Sequence, residues 1–116
     1  MDIDLLVEEI GKSLIKLGAL KVELIETEQT SKIAKRLIVC SAQNNQISKN
    51  IAYDIKDQFK DKIECLHTDG IFKGDWIVLD FKDVIIHIFT KETRQKFNLE
   101  KLYKNSNNSI SFSAKK

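Results

Sequence analysis

Apolar residues at Ile3, Leu6, Val7, Ile10, Leu14 and Leu17 recur at helical spacing, with charged residues between them. The pattern predicts a helix over Asp2–Leu17 with one buried stripe. Asp2 or Asp4 suits its positive N-terminal end, and Gly18 sits where a C-terminal cap belongs. Leu20–Ile25 then alternates as a strand, with Leu20, Val22 and Leu24 on one side and Lys21 and Glu23 on the other. Glu26–Lys35 is a polar connection. Leu37–Cys40 is a short apolar run of the kind found in a sheet covered on both faces, and Ser41–Asn45 reads as a loop. Ile47, Ile51, Ile55 and Phe59 form an i, i+4 stripe, so a second helix is expected from about Gln46 to Phe59. Ile63–His67 is a short strand candidate, and Asp69–Asp75 is a loop holding Gly70 and Gly74.

The clearest pattern comes next. Two apolar runs, Trp76–Phe81 and Val84–Phe89, are split by Lys82-Asp83 and read as a β-hairpin. With Lys82-Asp83 as a two-residue turn, Phe81 faces Val84, Leu79 faces Ile86 and Ile77 faces Ile88, which makes one wholly apolar face. On the other face Asp80 opposes Ile85, Val78 opposes His87 and Trp76 opposes Phe89. An indole, a carboxylate and an imidazole interrupt that second surface, as a recognition patch requires. Lys82-Asp83 is a poor type I′ pair, because both central residues would need positive φ, and a slightly longer loop would relieve the conflict.

Thr90 is placed to cap a helix over Lys91–Phe97, and a helical turn is expected at Leu99–Tyr103. Asn105–Lys116 is rich in Asn and Ser and reads as a frayed polar tail. The element order is α-β-β-α-β-β-β-α, without repeats. The expected fold class is α/β: a single mixed β-sheet of about five strands flanked by helices, with one possible crossover joining a parallel pair.

Composition narrows the function. The chain has 116 residues, 42% of them apolar, which suits one domain with a modest core. No run reaches the ~18 apolar residues of a membrane span. The acidic start Met1-Asp2-Ile3-Asp4 argues against a secretory signal, so a cytoplasmic setting is expected. A net charge of +2 is too balanced for a protein held to nucleic acid mainly by phosphate contacts. Cys40 and Cys65 lie in strand-like contexts and read as reduced, structural thiols. Cys65-x-His67 with His87 could supply three zinc ligands, but the spacing matches no established zinc motif.

Catalytic signatures are missing. There is no phosphate-binding glycine loop, no nucleophile elbow, and no Gly-Ser followed by a close Asp-x-Asp to hold metal and nucleotide. No enzyme activity, metal or cofactor is therefore expected, and the chemistry on offer is binding. Trp76 is the leading anchor, with a core tryptophan beneath a helix as the plain alternative. Asp80 would be costly buried alone, so it is either exposed or paired with Arg94 or a lysine. His87 reads as a neutral histidine, hydrogen-bonded to backbone, that scaffolds the patch. Glu92 and Arg94 read as a solvated helix face, and Asp69 and Asp75 as turn residues around the glycine loop. Asp69, Asp75, Asp80 and Glu92 near one edge would make an acidic rim suited to a basic partner.

Asp69-Gly70, Gly74-Asp75-Trp76, Asp80, Asp83-Val84, His87, Phe89, Glu92, Arg94, Leu99-Glu100 and Leu102 occur in this order over about a third of the chain. The set resembles the ribosomal silencing factor family (RsfS, also called Iojap-like), with a weaker match upstream through Val39-Cys40 and Ile51-Ala52. The resemblance implies an RsfS-like domain over residues 1–104 ahead of the tail 105–116, on a sheet related to nucleotidyltransferase-like folds. It implies a protein that binds the large ribosomal subunit through large-subunit ribosomal protein fourteen and blocks small-subunit joining by occupancy. It gives no expectation of sequence-specific nucleic-acid binding or of membrane association. The partner-binding residues are then Asp69, Asp75, Trp76, Val78, Asp80, His87, Phe89 and Glu92, with Trp76, Val78 and Phe89 as the apolar centre. An exposed apolar sheet face would also invite homodimerisation. A large-subunit assembly or maturation factor and a metal-dependent nucleotidyl transferase are the alternatives. The first half departs from the family: Ala42, Gln43, Asn44, Asn45 and Gln46 stand where Gly-x-Ser-x-Arg is usual, Lys35-Arg36 replaces an aspartate-aromatic pair, and Lys82 replaces the usual turn glycine.

Overall fold

The computed structural model describes residues 2–26, 36–97 and 109–111. Its elements are α1 (Ile3–Lys16), β1 (Leu20–Glu26), β2 (Arg36–Ala42), α2 (Asn45–Phe59), β3 (His67–Asp69), β4 (Trp76–Asp80), β5 (Val84–Thr90), α3 (Lys91–Phe97) and β6 (Ser109–Ser111). The strands form one mixed sheet in the order β3-β4-β5-β2-β1-β6. β2 and β5 are parallel, with Arg36 opposite Val84 through Ala42 opposite Thr90, and the other pairings are antiparallel. The expected mixed α/β sheet is thus present, with β6 added beyond β1.

Local chemistry explains the element ends. The Asp2 carboxylate accepts the Asp4 N–H and caps α1. At the other end Ala19 N–H donates to Leu14 O, and Gly18 N–H to Ile15 O, with Gly18 at φ +99°. This is the paired closure that a left-handed residue after the helix allows. Asn44, not a residue inside the helix, caps α2 by accepting the Ile47 N–H at 2.9 Å. Thr90 Oγ1 accepts the Thr93 N–H at the start of α3, as its position suggests.

Leu6, Val7, Ile10 and Leu14 of α1 and Ile51, Ala52, Ile55 and Phe59 of α2 pack on one sheet face. They meet Ile38, Cys40 and Ala42 of β2, Ile77 and Leu79 of β4, and Val84, Ile86 and Ile88 of β5. A second, smaller cluster of Ile25, Leu37, Val39 and Phe89 lies on the opposite face, with Trp76 and Ile85 against it. β2 is the strand buried on both sides, which accounts for its unbroken apolar run.

Four expectations change. Ser41 and Ala42 continue β2 instead of opening a loop, because the Ser41 hydroxyl is satisfied by Arg94. β3 is His67–Asp69, not Ile63–His67; the chain comes alongside β4 only at the end of the expected run, where Leu66 N–H donates to Asp80 O at 2.8 Å. Leu20 is partly exposed because the register slips between Leu20 and Glu23, where Lys21 takes φ +50° and interrupts the alternation. Part of the stretch read as a frayed tail, Ser109–Ser111, pairs with β1. The helical turn expected at Leu99–Tyr103 lies outside the described residues. The departure at Arg36 has a structural use: its guanidinium donates to Asp4 Oδ1 at 2.7 Å and ties β2 to the first turn of α1.

Candidate functional site

Alternation along β4 and β5 decides which side chains share the second face. The hairpin register is Trp76 opposite Phe89, Ile77 opposite Ile88, Val78 opposite His87, Leu79 opposite Ile86 and Asp80 opposite Ile85. Every facing pair expected from the two-residue turn is therefore present. The turn is made without glycine: Lys82 takes φ +80°, Phe81 N–H donates to Val84 O and Asp83 N–H to Phe81 O. A left-handed lysine costs roughly 1–2 kcal/mol. The Asp80 carboxylate offsets part of this by accepting the Lys82 N–H at 2.8 Å. Asp80 is thus tied to the turn, and it pairs with neither Arg94 nor a lysine side chain in the described contacts.

Trp76 is half-buried and held from two sides. Its Nε1–H donates to His87 Nδ1 at 3.0 Å, and its ring lies 4.9 Å from Phe89, centre to centre. His87 stacks over Phe89 at 6.1 Å with 12° between the planes. Burial lowers the His87 pKa to about 4, so the ring is neutral at physiological pH. Because Nδ1 accepts the indole hydrogen, the remaining ring hydrogen sits on Nε2. The ring is neutral as expected, but its partner is the Trp76 indole and not a backbone group. Phe89 is 0% exposed, so it is the floor beneath Trp76 and His87 and not a contact residue. Ile85, opposite Asp80, is the half-buried apolar residue that this face keeps at its other end. The facing-pair pattern already held that signal, since Ile85 lies opposite Asp80.

The glycine loop fixes where β4 begins. Gly70 has φ +77°, and a Cβ there would collide with the Trp76 carbonyl oxygen. Only glycine lets the chain pass that close to the first residue of β4.

The acidic residues do not form one rim. Asp69 is exposed at the end of β3, in register with Val78, and Asp80 is in register with His67. Asp80 is four residues along β4 from Trp76, about 13 Å at strand spacing. Asp75 and Glu92 lie past the Trp76 end, in a polar crevice of about 370 Å³ also lined by Gln43, Asn44, Thr90 and Lys96. The strand path separates the group because Asp75 precedes β4 and Glu92 follows β5. Asp75 has Lys73 at 3.9 Å.

Arg94 is only 6% exposed, contrary to the solvated reading. It donates to Lys21 O at 2.7 Å and to Ser41 Oγ at 2.9 Å, with Glu23 at 3.8 Å. It locks α3 over the β1 irregularity and positions the helix that follows the face. Cys40 is fully buried and its thiol is pushed up to about 12, chiefly by desolvation, so it is inert. The Cys65 thiol lies against the His67 carbonyl at 3.6 Å. His67 and His87 stand on strands with β4 between them, so the three do not converge as metal ligands.

The sequence profile described as "Ribosomal silencing factor during starvation" matches residues 2–116. The chain belongs to that family. It is 29% identical over 101 residues to ribosomal silencing factor RsfS of Bacillus subtilis (strain 168), covering 79% of this chain and 86% of that protein. It is 30% identical over 108 residues to the RsfS of Zymomonas mobilis, covering 88% and 77%. A crystal structure from Chromobacterium violaceum superposes with TM-score 0.86 at 20% identity, over 100% of this chain and 98% of the other. One from Bacillus halodurans gives 0.80 at 22% identity, over 94% and 99%. At those identities the two structures establish the fold. The residues that carried the resemblance divide between supports and surface: Gly70, Phe89 and Arg94 hold the framework, while Trp76, Asp80 and His87 retain exposure on the face.

Proposed function

We propose that this chain docks on the large ribosomal subunit through large-subunit ribosomal protein fourteen and, by occupying that site, sterically blocks the small subunit and represses translation. Membership of the RsfS family supports the silencing role. The observation that carries the docking reading is the fixed indole of Trp76, bonded to a neutral imidazole and seated on buried Phe89. A preorganised aromatic anchor with half-buried Val78 next along the strand face, and Ile85 at the far end of that face, loses little side-chain freedom on binding. Asp80 and Asp69 supply polar contacts at its margin, and Asp75 and Glu92 meet only a partner that reaches past the Trp76 end. Blocking by occupancy needs no catalytic step. A homodimer burying Trp76 would compete with docking for the same surface.

Co-sedimentation with separated ribosomal subunits tests the reading. Binding to the large subunit, with fewer joined ribosomes when the small subunit is added, is the expected result. Binding that leaves joining unchanged would shift the assignment to large-subunit assembly. Absence of binding would refute the docking reading.

A further inference from the structure

The β3–β4 loop presents a feature the docking face does not use. Phe72 is 95% exposed, yet its loop is closed and pinned. Gly74 N–H donates to Gly70 O at 2.9 Å, and both glycines have positive φ. Asn45 Nδ2 donates to Lys73 O at 3.1 Å, and a Cβ on Gly74 would meet Asn45 at 2.8 Å, so the loop rests on the first turn of α2. Phe72 is thus held out in water by a fixed backbone.

Its surroundings are basic and aromatic. The Lys49 ammonium lies 5.9 Å from the centre of the Phe72 ring. Lys49, Tyr53 and Lys56 follow at i, i+4 and i+7, so they share one flank of α2. Tyr53 is 55% exposed and stands one turn, about 6 Å, beyond Lys49. Lys73 extends the basic character on the loop side, with its side chain 80% exposed and Asp75 at 3.9 Å. Asp57, the acidic residue one turn beyond Tyr53, has Lys60 at 3.5 Å. Singly exposed apolar residues are ordinary on protein surfaces. Two exposed aromatic rings with three lysines on one loop and the adjoining helix flank are a different pattern.

We propose that the Phe72 loop and the adjoining flank of α2 form a second contact surface that takes a single-stranded RNA segment. Unpaired bases stack on the Phe72 and Tyr53 rings, and Lys49, Lys56 and Lys73 meet the phosphates. Such stacking needs no particular base, so the contact is sequence-tolerant. The balanced net charge concerns the whole chain, whereas this surface is local, and it holds whether or not the Trp76 face docks on a ribosomal protein. An acidic peptide would use the lysines but leave the rings without a role.

The test is fluorescence anisotropy of the full chain at low salt with a labelled oligouridylate of about ten nucleotides, within the site size of single-strand binders. Binding is expected to saturate, and Phe72→Ala and Tyr53→Ala should each weaken it about tenfold. Phe72→Leu should lose nearly as much, because it keeps apolar area without a planar ring. Lys49→Gln with Lys73→Gln should flatten the salt dependence by about 0.7 in slope per lost phosphate contact. Phe72 is so exposed that its replacement leaves the fold intact. Absence of oligouridylate binding would overturn the proposal, as would unchanged binding by Phe72→Ala. Equal affinity for an RNA duplex of the same length would overturn it too. Displacement by polyglutamate at equal strength would assign the surface to an acidic protein instead. The assay contains no ribosomal component, so its failure is separate from failure of the docking reading.

Discussion

The two faces of the β4–β5 hairpin use the same backbone register for opposite purposes. On one face Ile77, Leu79, Ile86 and Ile88 are fully buried under α1 and α2. On the other, Trp76, Val78, Asp80, Ile85 and His87 all keep partial exposure above buried Phe89. The first face stabilises the fold by removing apolar area from water. The second gives up part of that gain to keep a shaped surface available. The contrast shows how one strand pair can be closed core on one side and half-open on the other, with one-residue steps switching between the two.

Substitutions should separate the faces. Ile86→Ala leaves a cavity under the helices and should cost about 3 kcal/mol, lowering the thermal midpoint by roughly 12 °C or more, read by calorimetry. Binding by the fraction still folded should be unchanged. The second face should respond to pH. The His87 pKa is lowered from 6.5 to about 4 in the folded chain, so folding favours the neutral ring. Stability is then full above about pH 6.5 and declines as pH falls toward 4. The loss should reach about 3 kcal/mol, since a tenfold change in proton affinity corresponds to ~1.4 kcal/mol. His87→Phe should flatten that window in urea titrations taken across pH, whereas a variant confined to the first face should leave it in place. Trp76→Ala should raise the dissociation constant for the large subunit by about thirtyfold, equivalent to ~2 kcal/mol, with a smaller loss of stability. Equal docking by a folded Trp76→Ala chain would place the contact elsewhere. The smallest effect should come from Asp80→Ala, which removes the acceptor for the Lys82 N–H. A loss of about 1 kcal/mol is expected in denaturant unfolding, and more than that would mean the turn governs the register.

The hairpin was readable because strand alternation has a period of two and a two-residue turn leaves a single register for the facing pairs. The helices were readable because their stripes are regular and their caps local. What escaped was nonlocal. Arg94 reads as a surface residue in an exposed helical run, and only its meeting with Ser41, 53 residues away, and with Lys21 O explains its burial. The same bond explains why polar Ser41 belongs to a central strand. β3 is short and mostly exposed, so apolar content pointed to the wrong residues around it. The half-open second face of the hairpin is legible from the facing pairs, but the acidic rim is not. Sequence proximity grouped four carboxylates that the strand path separates, and it took Phe89 for a contact because an aromatic beside Trp76 suits either place.

The parallel pairing of β2 with β5 joins Arg36 to Val84 and Ala42 to Thr90 across 48 positions of chain. Val39, which lies beside His87 and belongs to the cluster under Trp76, comes from β2, outside the hairpin segment. A fragment spanning only the glycine loop, hairpin and α3 would therefore carry the family's lettering without the neighbour that supports β5. Grafted onto another scaffold, that segment would bring the indole with His87 and Phe89 but without the β2 side chains packed beneath them. A truncated mimic would have to rebuild β2 to hold β5, and with it His87 and Phe89, in place.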